Sequence, residues 1–306
     1  MPRFIAHFLP TLAIFCAVLT TGCATFRTGE RAVANTLIPP AQEAQLGQEY
    51  AKQIEQEVQI VDDPLANEWV REMGNRILEH SPSVDQEFTF QVTADKAVNA
   101  FAIPGGFCYV NLGLILYAEN EAQVAAVMAH EISHVTMDHG IRSLTRQVGL
   151  SKAAEVLGEQ GTAGQIAALA LQGGGVVAVR QFSQRDELEA DAVGVEAMYE
   201  AGYHPREAVE FFKRLHELGS GEPSTIEQLI STHPTTPDRI QALENQIANY
   251  NLSRSDLTVN SPQFQKVQER LRSEYGGLQS AWAPGEGSEF LASLNDCPFC
   301  AAHAGF

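Results

Sequence analysis

The sequence predicts an α+β fold that is mainly helical, with a small β-sheet beside its central helix. Three observations carry this. Apolar residues recur at helical spacing in several stretches, as in Leu65, Trp69, Met73 and Ile77. Strand-like alternation is confined to residues 87–93, where Phe88, Phe90 and Val92 alternate with polar neighbours, and to two apolar arms around Pro104-Gly105-Gly106. No repeat of solenoid length is visible, and 306 residues suffice for one large domain or two small ones.

Taken in order, residues 24–40 are polar and end in Pro39-Pro40, a tether. Residues 41–60 read as a helix rich in Gln and Glu. Asp63-Pro64 opens a second helix, with Pro at a tolerated first-turn position, and Ser81-Pro82 ends it. After the strand at 87–93, the arms Asn99–Ile103 and Phe107–Val110 read as a hairpin turned by Pro-Gly-Gly. Asn120 can cap the next helix with Gln123 in a variant of the capping box. Val124, Val127, Met128, Ile132 and Val135 then form a buried stripe. Residues 145–182 carry few charges and include Gly173-Gly174-Gly175. They read as a buried or mobile helical segment, with a membrane-facing segment or lid as the alternative. Further helices are expected over 184–201, closed by Gly202, and over 205–218, 237–250 and 262–275. A Gly- and Pro-containing tail follows.

Acidic residues number 38 and basic ones 20, a net charge of -18. That balance argues against nucleic acid as a partner, because phosphate binding needs a basic stripe. Five cysteines are too few for a disulfide scaffold. Arg3, the apolar run Phe8–Leu19 and the exit Thr20-Thr21-Gly22 read as a secretory signal, shorter than a membrane span. Cys23 after Gly22 resembles a bacterial lipoprotein processing site, which makes Cys23 the lipidated N-terminus. Plain secretion and an uncleaved anchor are the alternatives. Ala24, by similarity to sorting rules of Gram-negative bacteria, favours the outer membrane. The expected organisation is a lipoprotein-type signal peptide at 1–22, a tether at 23–40, a main domain at 41–250 and a partly flexible C-terminal extension at 251–306.

The chemistry centres on His130-Glu131-Ile132-Ser133-His134. Positions i and i+4 lie one above the other on a helix, so His130 and His134 can grip one zinc ion. Glu131 can then act as general base toward a water activated by the ion. A catalytic zinc needs a third protein ligand and one open position. Glu187 and Asp191 are likewise i and i+4 on a second helix. Glu187 as ligand leaves Asp191 to orient a histidine ring, and either histidine is its candidate partner. Glu189 points elsewhere and reads as solvated.

These residues carry a family resemblance. HExxH, followed about fifty residues later by Glu187-x-x-Ala190-Asp191, resembles the zinc metalloproteases that include HtpX, the CAAX prenyl endopeptidases and the mitochondrial Oma-type enzymes. Asn99-Ala100-Phe101-Ala102 with Pro104-Gly105-Gly106 agrees with it, as do His139 and Ser231-Thr232-His233-Pro234 with Arg239. The short lipoprotein form is similar to the periplasmic LoiP and BepA branch, without the helical repeats. The resemblance implies a gluzincin metalloprotease domain with one zinc per chain. It also implies His130, His134 and Glu187 as ligands, Glu131 as base and Asp191 as the orienting carboxylate.

The implied activity is zinc-dependent endopeptidase cleavage of unfolded or misassembled envelope proteins, a quality-control role. The implied place is the periplasmic side of the outer membrane of a Gram-negative bacterium, with the membrane as a partner through the N-terminal lipid. The competing class is a non-hydrolytic zinc-containing chaperone or assembly factor. His233 can approach the open zinc position, stabilising an oxyanion or blocking the metal at rest, or can be a structural loop histidine. Arg239 can stabilise an oxyanion or anchor its helix through an ion pair. Asn99, Ala100, Phe101 and Ala102 can form an exposed edge that pairs with an extended substrate, or be covered by the chain itself. Cys297 and Cys300 read as a local disulfide or free thiols, and Cys108 as a small buried residue.

Overall fold

The computed structural model describes residues 38–83, 85–148, 182–218 and 227–275. The signal, Cys23, most of the tether, almost all of the 145–182 segment and the Cys297/Cys300 pair lie outside them. Ten helices and three strands are described: α1 (Pro40–Glu57), α2 (Pro64–Leu78), β1 (Thr89–Thr93), β2 (Ala100–Ile103), β3 (Phe107–Asn111), α3 (Leu112–Tyr117), α4 (Glu121–Thr136), α5 (His139–Val148), α6 (Gln184–Glu200), α7 (Arg206–Leu218), α8 (Glu227–Thr232), α9 (Pro237–Ile247) and α10 (Pro262–Tyr275). The expected α+β architecture is observed. No helix among the described residues is long and apolar enough to cross a membrane.

Local signals set the helix starts. The Asp63 carboxylate accepts from the Ala66 N–H at 2.9 Å, ahead of Pro64 in the first turn. The Asn120 side chain accepts from the Gln123 N–H at 3.1 Å. The reciprocal bond differs from the expected box, because Gln123 Oε1 accepts from the Glu119 N–H at 3.0 Å, one residue before the cap. Ser183 and Asp186 form a full capping box at the start of α6.

The sheet order is β1-β3-β2, with β1 parallel to β3 and β2 antiparallel to it. The Pro104-Gly105-Gly106 turn makes the β2–β3 hairpin, with φ of 86° and 84° at the two glycines, a region that L side chains rarely enter. A Cβ at Gly106 would lie 2.5 Å from the Glu87 carbonyl oxygen, so only glycine fits.

Helix α4 is buried at all sixteen positions, which explains why its sequence is apolar on more than one face. The sheet, α2, α6 and α7 surround it. Helix α6 approaches closely at Gly194, where a Cβ would stand 3.0 Å from the backbone of Ala129 and His130. That approach brings the acidic first turns of α6 against the histidines of α4. Helix α10 docks on α2 and α3: Phe264, Val267 and Leu271 are buried, and Phe264 lies 5.2 Å from Trp69 between ring centroids. Gln268 Nε2 donates to the carbonyls of Ile115 and Ala118, which end α3, at 2.8 and 2.9 Å. Arg270 pairs with the capping carboxylate of Asp63. Phe264, Val267 and Leu271 thus belong to the same hydrophobic core as Trp69 and Leu114.

Candidate metal centre

The i, i+4 spacing on α4 sets His130 Nε2 and His134 Nε2 3.0 Å apart, both rings buried. Helix α6 supplies Glu187, with Oε2 3.4 Å from His130 Nε2 and Oε1 3.5 Å from His134 Nε2. His233 follows α8 directly; its Nδ1 lies 3.2 Å from His130 Nε2 and 3.0 Å from Glu187 Oε1. One donor atom from each of these four residues falls within 4.8 Å of the others. The set suits a small cation. Zinc bonds of about 2.0–2.1 Å in a tetrahedron put donors roughly 3.3 Å apart, close to the separations seen. Three imidazole nitrogens converging on one buried point cannot all bond to each other, because each nitrogen is either a donor or an acceptor. A shared cation resolves that conflict.

Glu131 stands at the rim of this group. Its Oε2 accepts from the Ala102 N–H of β2 at 3.2 Å, and its Oε1 lies 3.4 Å from His233 Nε2. Asp191, one turn beyond Glu187, lies 2.9 Å from His130 Nδ1, so the partner left open by the sequence is His130. Arg239 Nε and Nη2 donate to the two Asp191 oxygens at 2.7 Å each. Its Nη1 reaches Glu187 Oε2 at 2.8 Å and the Pro234 carbonyl at 3.0 Å. The guanidinium thus ties together α6, α9 and the loop carrying His233.

These contacts move the ionisation of the cluster. Burial works against charge on His130, but the carboxylates of Asp191 and Glu187 outweigh it and lift the ring to about 9. Burial pushes His134 well below the ordinary histidine range, helped by the neighbouring His130. Burial alone would raise Glu187; His233 and His130 reverse that and hold it well below the usual carboxylate range. Asp191 is likewise lowered despite its burial, chiefly by Arg239.

Two placements differ from the sequence reading or were absent from it. Glu189, expected to be solvated, is buried, with Oε2 3.4 Å from His139 Nε2 and 3.5 Å from Arg142 Nη1. Two residues along a helix is about 200°, so Glu189 does point away from Glu187, but α5 covers that face. Phe182 stacks on the His134 ring at 3.7 Å between centroids, a contact that no local motif announces. A narrow cleft beside His134 is lined by Ala102, Ile103, Val135, Ile141 and Phe182. The arm Ala100–Ile103 is buried at every position and forms one edge of the described sheet. Asn99 is buried as well, its carbonyl accepting from the Asn111 N–H at 3.0 Å.

His139, Asp186 and Glu189 make a second group of metal-type side chains. Arginines already hold its carboxylates: Arg142 Nη2 lies 3.0 Å and Arg146 Nη2 2.9 Å from Asp186 oxygens. The cationic place there is filled by guanidinium groups.

Comparison with known proteins fits this geometry. The family model for Peptidase family M48 matches residues 64–247, which include His130, His134, Glu187, His233 and Arg239. The chain is 31% identical over 226 residues to the beta-barrel assembly-enhancing protease of Escherichia coli K12, covering 69% of this chain and 45% of that protein. It is 29% identical over 168 residues to the metalloprotease LoiP of the same strain, covering 53% and 64%. It is 30% identical over 182 residues to the mitochondrial metalloendopeptidase OMA1 of Schizosaccharomyces pombe, covering 58% and 51%. The chain spans about half the length of the beta-barrel assembly-enhancing proteases it matches. With the family model matching more than half of its length, the chain belongs to peptidase family M48.

Proposed function

We propose that the chain is a zinc-dependent endopeptidase that cleaves unfolded or misassembled proteins of the bacterial cell envelope, lipid-anchored at the periplasmic side of the outer membrane. The observation that carries the activity is the convergence of His130, His134 and Glu187 with the Glu131 carboxylate at their rim. His130, His134 and Glu187 would hold the ion, which when bound supplies a Lewis acid that acidifies water and polarises a carbonyl. The envelope assignment rests on the lipoprotein-like N-terminus and on relatives named for beta-barrel assembly.

Glu131 performs the proton transfers. Its carboxylate takes a proton from the attacking water as the water oxygen bonds to the carbonyl carbon. It returns that proton to the departing nitrogen as the C–N bond breaks. The Ala102 N–H, bonded to Oε2, fixes the carboxylate plane between the sheet edge and the metal group. Casein digestion tests this reading. Cleavage is expected to stop when a chelator strips the metal and to resume on adding zinc; chelator-resistant cleavage would contradict it.

His233 acts in this reading as a latch. Its Nδ1 lies among the donor atoms while its Nε2 faces Glu131, so with the ion bound His233 would take the place that a substrate carbonyl needs. His233→Ala is expected to raise peptidase activity at unchanged zinc content, and identical steady-state kinetics would remove the latch. The outer edge of β2 is the proposed docking strand for extended substrates. Ala102→Pro removes the N–H that bonds Glu131 and distorts the edge, so it should raise KM as well as lower kcat with zinc retained; an unchanged KM would exclude the docking role.

A further inference from the structure

We infer that His139 is a positioning residue that fixes the tautomer and ring angle of His134 through a chain of hydrogen bonds ending on Glu189; this rests on the metal reading above. The direction of each hydrogen follows from the two ends of the chain. At one end His134 Nε2 faces the donor group, 3.0 Å from His130 Nε2 and 3.5 Å from Glu187 Oε1. A ligand nitrogen presents a lone pair, so the neutral ring carries its proton on Nδ1. That Nδ1 lies 2.9 Å from His139 Nδ1. His139 must therefore accept there, which leaves its own proton on Nε2. His139 Nε2 lies 3.4 Å from Glu189 Oε2 and 4.0 Å from Asp186 Oδ1. Ionised carboxylates only accept, so the far end agrees with the metal end. Reversing the chain would aim a proton into the donor group and a lone pair at a carboxylate.

The support behind His139 is buried and held by ion pairs. The ring is fully buried. Asp138, at φ 57°, makes the tight turn between α4 and α5 that swings His139 back against His134. Arg142 and Arg146 hold Asp186, and Arg142 also approaches Glu189. The two ligand histidines are thus oriented differently. His130 leans on the carboxylate of Asp191, and His134 on the imidazole of His139, which carboxylates orient in turn. Ligating histidines usually donate to carboxylate, backbone carbonyl or water, and losing such a partner typically weakens metal affinity about 10–100-fold.

The test uses the full chain. Zinc affinity is measured by competition with a chromophoric chelator for wild type, His139→Phe and His139→Asn, with thermal melting to monitor folding. Histidine tautomers are read from two-bond proton–nitrogen correlations of the metal-free protein. His139→Phe removes the acceptor and is expected to weaken zinc binding about 10–100-fold. His139→Asn places an amide oxygen near the Nδ1 position and should keep most of the affinity. Wild type should show His134 protonated on Nδ1 and His139 on Nε2. Wild-type affinity in a folded His139→Phe, equal losses in both variants, or the opposite tautomers would overturn the inference. If His139→Phe does not fold, the wild-type tautomers and His139→Asn decide. A wild-type chain that takes up no zinc would overturn the metal reading itself, an outcome distinct from the others.

Discussion

Glu131→Gln is expected to lower hydrolysis of an unfolded protein by about 10²–10⁴-fold, the usual contribution of a positioned general base, while zinc stays bound. The substitution keeps size and shape, and the amide oxygen can still accept from Ala102. The imidazoles and Glu187 are untouched, so metal content should match wild type. What is lost is the carboxylate proposed to carry the proton from water to the leaving nitrogen. Casein digestion by the two proteins, each assayed for zinc, checks this. Equal cleavage by both would remove Glu131 as the base. Cleavage by neither, with zinc bound, would favour a non-hydrolytic assembly factor.

Arg239→Leu should produce the largest loss of stability. Arg239 is 2% exposed and neutralises two buried carboxylates, Asp191 and Glu187. Removing one partner of a buried ion pair costs about 3–5 kcal/mol, because the charges left behind are uncompensated. For a domain of this size each kcal/mol shifts the melting temperature by about 2–4 °C, so a fall of roughly 6–20 °C is expected. The acid limb should change with it. The Asp191 carboxyl is held below its ordinary value of 3.8: burial opposes this, and Arg239 and His130 outweigh burial. Its stabilisation is present above that value and is lost as pH falls through the lower folded one. Wild type should therefore lose stability below about pH 4 more steeply than Arg239→Leu. An unchanged melting temperature in the variant would contradict the keystone role.

Much of this was legible in local chemistry. Asp63, Asn120 and Gly202 mark ends of α2, α4 and α6 because capping and positive φ are decided by neighbouring residues. Pro104-Gly105-Gly106 marks the hairpin for the same reason. The i, i+4 pairs His130/His134 and Glu187/Asp191 were readable because helical geometry fixes their faces. What escaped the sequence depends on tertiary approach. The parallel pairing of β1 with β3 needs a crossover that no turn residue signals. Helix α3 is short and lacks a side-chain cap. The choice of His130 over His134 as partner of Asp191, the burial of Glu189 and the stacking of Phe182 all arise where α5 and α6 close on α4. The docking of α10 through Phe264 depends on Trp69, nearly two hundred residues earlier in the chain.

The central claim is that side chains of two helices meet on one cation, and zinc titration of the purified full chain tests it most directly. One zinc ion per chain is predicted for wild type, with affinity collapsing in both His134→Ala and Glu187→Ala while each variant remains folded. Wild-type zinc affinity in a folded Glu187→Ala would contradict it.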